Sequence, residues 1–172
     1  VSVGNDISFE AVTLTVDHSD NFSFSGSMVI PLSVDEHTFE KAGSGTLTLS
    51  GASTSNNGSV NVSEGILSIT HSNALGYSRT SVSSGAALHL SNDITIANTS
   101  IRLNGTGISS SGALMNSSAT AASYAGAVTL GAASSIGGTG AITLSGILNA
   151  GSNLLTLSSV DLTAENTSNN IQ

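Results

Sequence analysis

Four histidines, His18, His37, His71 and His89, are the side chains of this 172-residue chain best suited to hold a transition metal. None stands three or four residues from another, so no helical or short-loop pair of imidazoles is present. A His-Glu-x-x-His helix, a Gly-x-Ser-x-Gly elbow and a phosphate-binding glycine loop are absent as well. Asp17 and Asp20, with Asp35 and Glu36, could supply oxygen ligands to calcium. The simpler reading is a solvated acidic face. Gly137-Gly138-Thr139-Gly140 has the glycine spacing of a calcium β-roll, but that repeat needs Asp where Ile142 stands, and it occurs once. The expectation is therefore no catalytic residue, no metal site and no cofactor.

The charge pattern narrows the partners. Lys41, Arg79 and Arg102 are the only basic residues, far fewer than phosphate neutralisation on a nucleic acid demands. The net charge of −8 is uneven. Asp6, Glu10, Asp17, Asp20, Asp35, Glu36 and Glu40 precede Lys41, whereas Glu64, Asp93, Arg79 and Arg102 cancel between Ala42 and Val160. An acidic start thus precedes a nearly uncharged body. Charged side chains ordinarily guard strand edges, so the body is expected to self-associate, head-to-tail or side-by-side, with the acidic start limiting the contact. With no Cys, disulfides and thiolate metal sites are excluded. No apolar run approaches the ~20 residues of a membrane span. Val1 opens directly into strand-like sequence, which fits a processed chain or a piece of a longer one.

The elements that would carry any site are short strands. Thr38 to Ile69 reads TFEKAGSGTLTLSGASTSNNGSVNVSEGILSI. Leu47 and Leu49, Val60 and Val62, and Leu67 and Ile69 alternate with Thr, Ser and Asn, the period-two pattern of a strand with one face inward. Outward Thr46 and Thr48 follow from that alternation. Gly51 to Gly58 and Glu64-Gly65 supply the turns. Gly45, Gly65 and Gly85 open such runs at even intervals. A regular recurrence of that length, without helices, points to a solenoid. Closer strand spacing would also suit an antiparallel β-sandwich, but aromatics are only 3% of the chain. Ser and Thr make up about 30% of the residues, yet Leu, Ile, Val and Phe reach about a quarter and alternate, which argues against disorder.

Lys41, Gly43, Gly45, Leu47, Leu49 and Gly51, followed by Val62, Gly65 and Leu67, resemble the autotransporter-associated β-strand repeat. The polar middle, Ser53 to Gly58, lacks that repeat's usual aromatic residue. The resemblance implies a right-handed parallel β-helix in the secreted part of a bacterial surface protein, passage through an outer-membrane translocator, and core and turn positions without a catalytic residue. It continues loosely through Ser111-Gly112-Ala113-Leu114 and Gly138 to Gly146, to about Ser159.

The expected fold is all-β, a parallel β-solenoid ahead of the sandwich. Residues 1–40 read as acidic, less repetitive coils forming a cap or junction, 41–163 as the shaft, and 164–172 as a polar tail or linker. Asn57, Asn61, Asn104 and Asn116 read as turn or ladder residues. The sequons at Asn21, Asn57, Asn61, Asn98, Asn104, Asn116 and Asn166 are near the number this composition yields by chance. A non-catalytic shaft of a displayed adhesin-like protein is the leading function. A self-assembling filament subunit comes next. A polysaccharide-active β-helix enzyme is weakest, because its three basic residues lie far apart in the sequence.

Overall fold

The structure, a computed structural model, describes residues 2–8, 13–29, 37–53, 57–97, 99–158 and 160–165. The chain winds through about 7 turns of a β-solenoid. The first turn carries β1 (Ser2–Val3), β2 (Ile7–Ser8) and β3 (Thr13–Asp17), the next β4 (Phe22–Phe24), β5 (Met28–Val29) and β6 (Thr38–Ala42). There follow β7 (Thr46–Leu49) with β8 (Ser59–Val62), and β9 (Ile66–Ile69) with β10 (Arg79–Val82). β11 (Ala87–Leu90), β12 (Thr95–Ile96) and β13 (Ile101–Gly105) form another turn. β14 (Leu114–Asn116), β15 (Ala122–Tyr124), β16 (Val128–Gly137), β17 (Ile142–Leu144), β18 (Leu148–Asn149), β19 (Leu155–Ser158) and β20 (Leu162–Ala164) complete the described chain.

Every strand pair among the described residues is parallel, so the sandwich is excluded. The strands stack into three faces. The first runs β1-β4-β7-β9-β11-β14 and on through the end of β16 to β19. The second holds β2-β5 and, separately, β12-β15-β17-β20. The third runs β3-β6-β8-β10-β13 into the start of β16 and β18. β16 is long because it passes from the third face to the first without a tight corner. The change of direction is taken up by a register shift between Leu103 and Gly105 opposite Leu130 and Ser134. Buried Ser134 Oγ lies there 3.1 Å from Leu103 O and 2.8 Å from Ala132 O, and its single proton is shared between two carbonyls that the change of direction would otherwise leave dry.

Period-two alternation decides which side chains stack inside. Phe22, Leu47, Leu67, Leu88, Leu114 and Ile136 form one continuous inward column on the first face. Leu14, Phe39, Val60, Thr80, Ile101, Val128 and Leu148 form its counterpart on the third. Outward Thr46 and Thr48 alternate with buried Leu47 and Leu49 as the pattern requires. The ladders β3-β6-β8 and β1-β4-β7 run without interruption across position 40, which lies within β6.

The even glycine spacing slips against the register. Thr46 pairs with Ile66, but Ile66 pairs with Ala87, so Gly65 stacks over Gly45 while Gly85 falls one residue early. The corner before β11 is one residue longer than the one before β9. Gly65 has φ +65°, and a Cβ there would stand 2.4 Å from Gly45 O, so glycine is required by both backbone angle and space. The similar runs beginning at Gly126 and Gly140 also belong to different faces, the third and the second. At Ser91-Asn92-Asp93 the left-handed positions fall to Asn92 (φ 67°) and Asp93 (φ 52°), not to Asn57, Asn61, Asn104 or Asn116.

Thr80 breaks the chemistry of its column: its hydroxyl is buried between Val60 and Ile101 and has no partner. Thr80→Val should therefore raise stability by about 1–2 kcal/mol, whereas Leu67→Ala, at a fully buried position, should lower it by about 2–5 kcal/mol in urea unfolding. A destabilised Thr80→Val variant would contradict this assignment of the column.

Candidate functional site

Lys41 is the most unexpected interior residue. It occupies a core position between Val16 and Val62 and is fully buried. Its Nζ donates to Ala42 O at 2.7 Å, Gly43 O at 2.7 Å and Glu64 O at 3.1 Å. All three ammonium protons are thereby used, and the corner after β6 is tied to the corner above it. Desolvation pulls the Lys41 pKa below its ordinary value, while the Glu64 and Asp17 carboxylates push it back up. The arrangement is a structural clamp between two corners.

The histidines remain apart. His18 Nδ1 meets Asp20 O, and its ring lies 5.9 Å from that of Phe22. His37 is buried and its carbonyl accepts from Ser59 N–H at 2.8 Å. His71 Nδ1 accepts from Asn73 N–H at 3.0 Å. His89 lies on the outer side of the first face between Ser68 and Met115. Its Nε2 accepts from Ser117 N–H at 3.1 Å, and Nδ1 faces Ser91 Oγ at 3.3 Å and Ser68 Oγ at 3.4 Å. That set of partners selects the neutral ring protonated on Nδ1. Burial lowers its pKa below the ordinary 6.5.

Among the described residues, no three His, Cys, Asp or Glu side chains come together as a metal site. Asp35 and Glu36, with Asn98 and Asn166, lie outside the described residues. Asn61 and Asn104 are ladder residues on the third face, and Asn104 Nδ2 donates to Val82 O at 2.9 Å. Asn116 is fully buried, so that sequon is inaccessible in the folded chain. Its side chain satisfies a corner instead, donating to Thr120 O and Ala141 O and accepting from Ser118 N–H. Tyr124 is buried too, its hydroxyl 2.7 Å from Thr99 Oγ1, and desolvation raises its pKa. An apolar cavity of about 140 Å³ lies in the early coils between Phe22, Phe24, Met28, Phe39, Leu47 and Leu49 and presents no polar group.

The third face gathers residues that lie far apart in the sequence. Ser81 pairs with Arg102, and Arg79 lies two residues before Ser81 on the same strand. Both arginines point outward and are exposed. Two adjoining surface hollows meet there. One, about 200 Å³, is lined by Asn57, Gly58, Ser59, Tyr77 and Arg79. The other, about 290 Å³, includes Ser59, Asn61, Arg79, Ser81, Arg102 and Thr129. The distance of these arginines in sequence is thus no measure of their distance in space. Their separation is close to one turn of the solenoid, a spacing that brings them together only once the register of β10 on β13 is known.

Residues 39–69 match the family model described as Passenger-associated-transport-repeat. The similarity to an autotransporter passenger repeat holds over that segment. Comparison with curated proteins and with solved structures finds no match. The matched segment runs from β6 through β9 and contains Lys41, Leu47, Leu49, Val62 and Leu67 as core positions and Gly43 and Gly65 as positive-φ corners.

Lys41→Met keeps the stem but leaves three carbonyls without their donor. Urea unfolding should show a loss of about 3 kcal/mol or more, and a loss below about 1 kcal/mol would contradict the clamp. For His89 the unfolded ring binds protons more readily than the folded one, so its contribution is complete above pH 6.5 and falls as the pH drops below that value. His89→Gln should accordingly lose less stability than the parent chain between pH 7 and pH 5.

Proposed function

We propose that this chain is a length of non-catalytic shaft from the secreted or surface-displayed part of an autotransporter-like bacterial protein. It gives length and display, and its partners are neighbouring coils of the same protein and the translocator that exports it. The observation that carries this reading is the coincidence of the passenger-repeat match at residues 39–69 with an uninterrupted parallel ladder and a lysine-clamped corner. A solenoid whose coils satisfy one another can lengthen by adding coils, with no change to those already formed. Interior positions are mostly spent on packing, and the buried polar side chains of Lys41, Asn116 and Ser134 serve changes of direction.

A filament subunit is the second reading, favoured by one feature of the last coils. Leu157, which follows Ile136 on the inward column, is 51% exposed there and would be covered by a further coil or by another copy of the chain, and Ile147 and Leu154 add outward apolar side chains that are 46% and 66% exposed. Sedimentation over a concentration range separates the two: growing species that vanish on Leu154→Lys support the filament, and a constant monomer removes it. For the shaft, electron microscopy of the complete gene product should show a rod longer than this segment, with a compact globule as the contrary result.

A further inference from the structure

We propose that the outer surface of the third face, between β8 and β16, binds a carboxylate-bearing oligosaccharide through Arg79 and Arg102. This rests on side chains of the surface and not on the shaft reading. Apart from buried Lys41, these are the chain's only strongly basic groups, and both stand on one face of a molecule with net charge −8. Among the described residues, neither guanidinium pairs with a carboxylate. Glu40, on the same outward column as Arg102, is three rungs away, about 14 Å, and its carboxylate is engaged by Ser63 Oγ. Two unpaired cations in an otherwise acidic chain mark where an anion is favoured.

The geometry suits a chain of acidic sugars better than a compact anion. Arg79 and Arg102 are diagonal neighbours on adjacent rungs, with backbones about 8 Å apart, so they address successive charges along an extended ligand. A guanidinium holds a carboxylate by two parallel hydrogen bonds. Around the pair, Ser59, Ser81, Thr129 and Asn61 present hydroxyl and amide groups matched to sugar hydroxyls. Tyr77, 55% exposed at the end of the surface, offers a ring face to the apolar side of a pyranose. A nucleic acid would need more cations than two.

Arg102 is also held in place. A Cβ on Gly131, one rung further on, would lie 2.2 Å from Asn104 Oδ1, 2.5 Å from Arg102 Nε and 2.7 Å from its Cζ. The guanidinium therefore lies over bare backbone that only glycine leaves open. Gly131 is a positioning residue: Gly131→Ala displaces the Arg102 head, together with the Asn104 amide beside it, without altering any charge.

The test is calorimetric titration of the whole chain with oligogalacturonate and, as a neutral counterpart of the same sugar, its methyl ester. The acid form should bind and the ester should not. Arg79→Gln and Arg102→Gln should each weaken binding at least tenfold. Arg102→Lys, which keeps the charge but loses the fork, and Gly131→Ala should weaken it severalfold while circular dichroism shows the fold intact. The proposal is overturned by no binding of the acid form, by equal binding of the ester, by binding that persists in the Arg79→Gln/Arg102→Gln double variant, or by unchanged binding in both Arg102→Lys and Gly131→Ala.

Discussion

The constraint on which the structure depends is the parallel ladder between coils. A backbone buried on one side must place its N–H and C=O groups on partners, and here those partners are the strands directly above and below. Because the ladder is in register, each side chain inherits the environment of its neighbours one turn away. An inward leucine is followed by leucines, as in Leu47, Leu67 and Leu88, and an outward polar group by polar groups, as in Thr48, Ser68 and His89. The apolar columns bury their surface against one another, and the outer columns carry whatever the surface requires.

Corners are where this arrangement becomes particular. A strand can repeat, but a corner leaves carbonyls pointing into the interior, and each is met by a different device. Lys41 uses an ammonium group, Asn116 an amide, and Ser134 a hydroxyl. These buried polar side chains look like candidates for chemistry when considered singly. Their partners are backbone carbonyls, and their role is to let the chain change direction without leaving those groups unpaired.

Much of the fold was legible in the chain because alternation is a local property. The facing of Leu47, Leu49, Val60, Val62, Leu67 and Ile69 needed no more than neighbouring residues, and the passenger-repeat segment was readable for the same reason. What escaped depends on counting around a full turn. One additional residue in the corner before β11 moves Gly85 off the column of Gly45 and Gly65. Turns also differ in length: the step from Thr48 to its partner Ser68 is shorter than the step from His89 to its partner Met115. A fixed period therefore cannot carry the register along the chain. The pairing of Arg79 and Arg102 on one surface was hidden by the same uncertainty. Lys41 was visible as a motif position but not as a core residue, since nothing local distinguishes a lysine that reaches carbonyls from one that reaches water.

The register itself is therefore the claim to test, and a chain without cysteine makes the measurement direct. Asn61 and Ser81 pair across neighbouring rungs on the outer third face, about 4.8 Å apart, within the range a disulfide spans. Asn61 and Arg102 are two rungs apart, about 10 Å, beyond that range. Under mild oxidation, a variant carrying Asn61→Cys and Ser81→Cys should close an intramolecular disulfide, and one carrying Asn61→Cys and Arg102→Cys should stay reduced. A disulfide in the second variant and none in the first would contradict the parallel, in-register ladder.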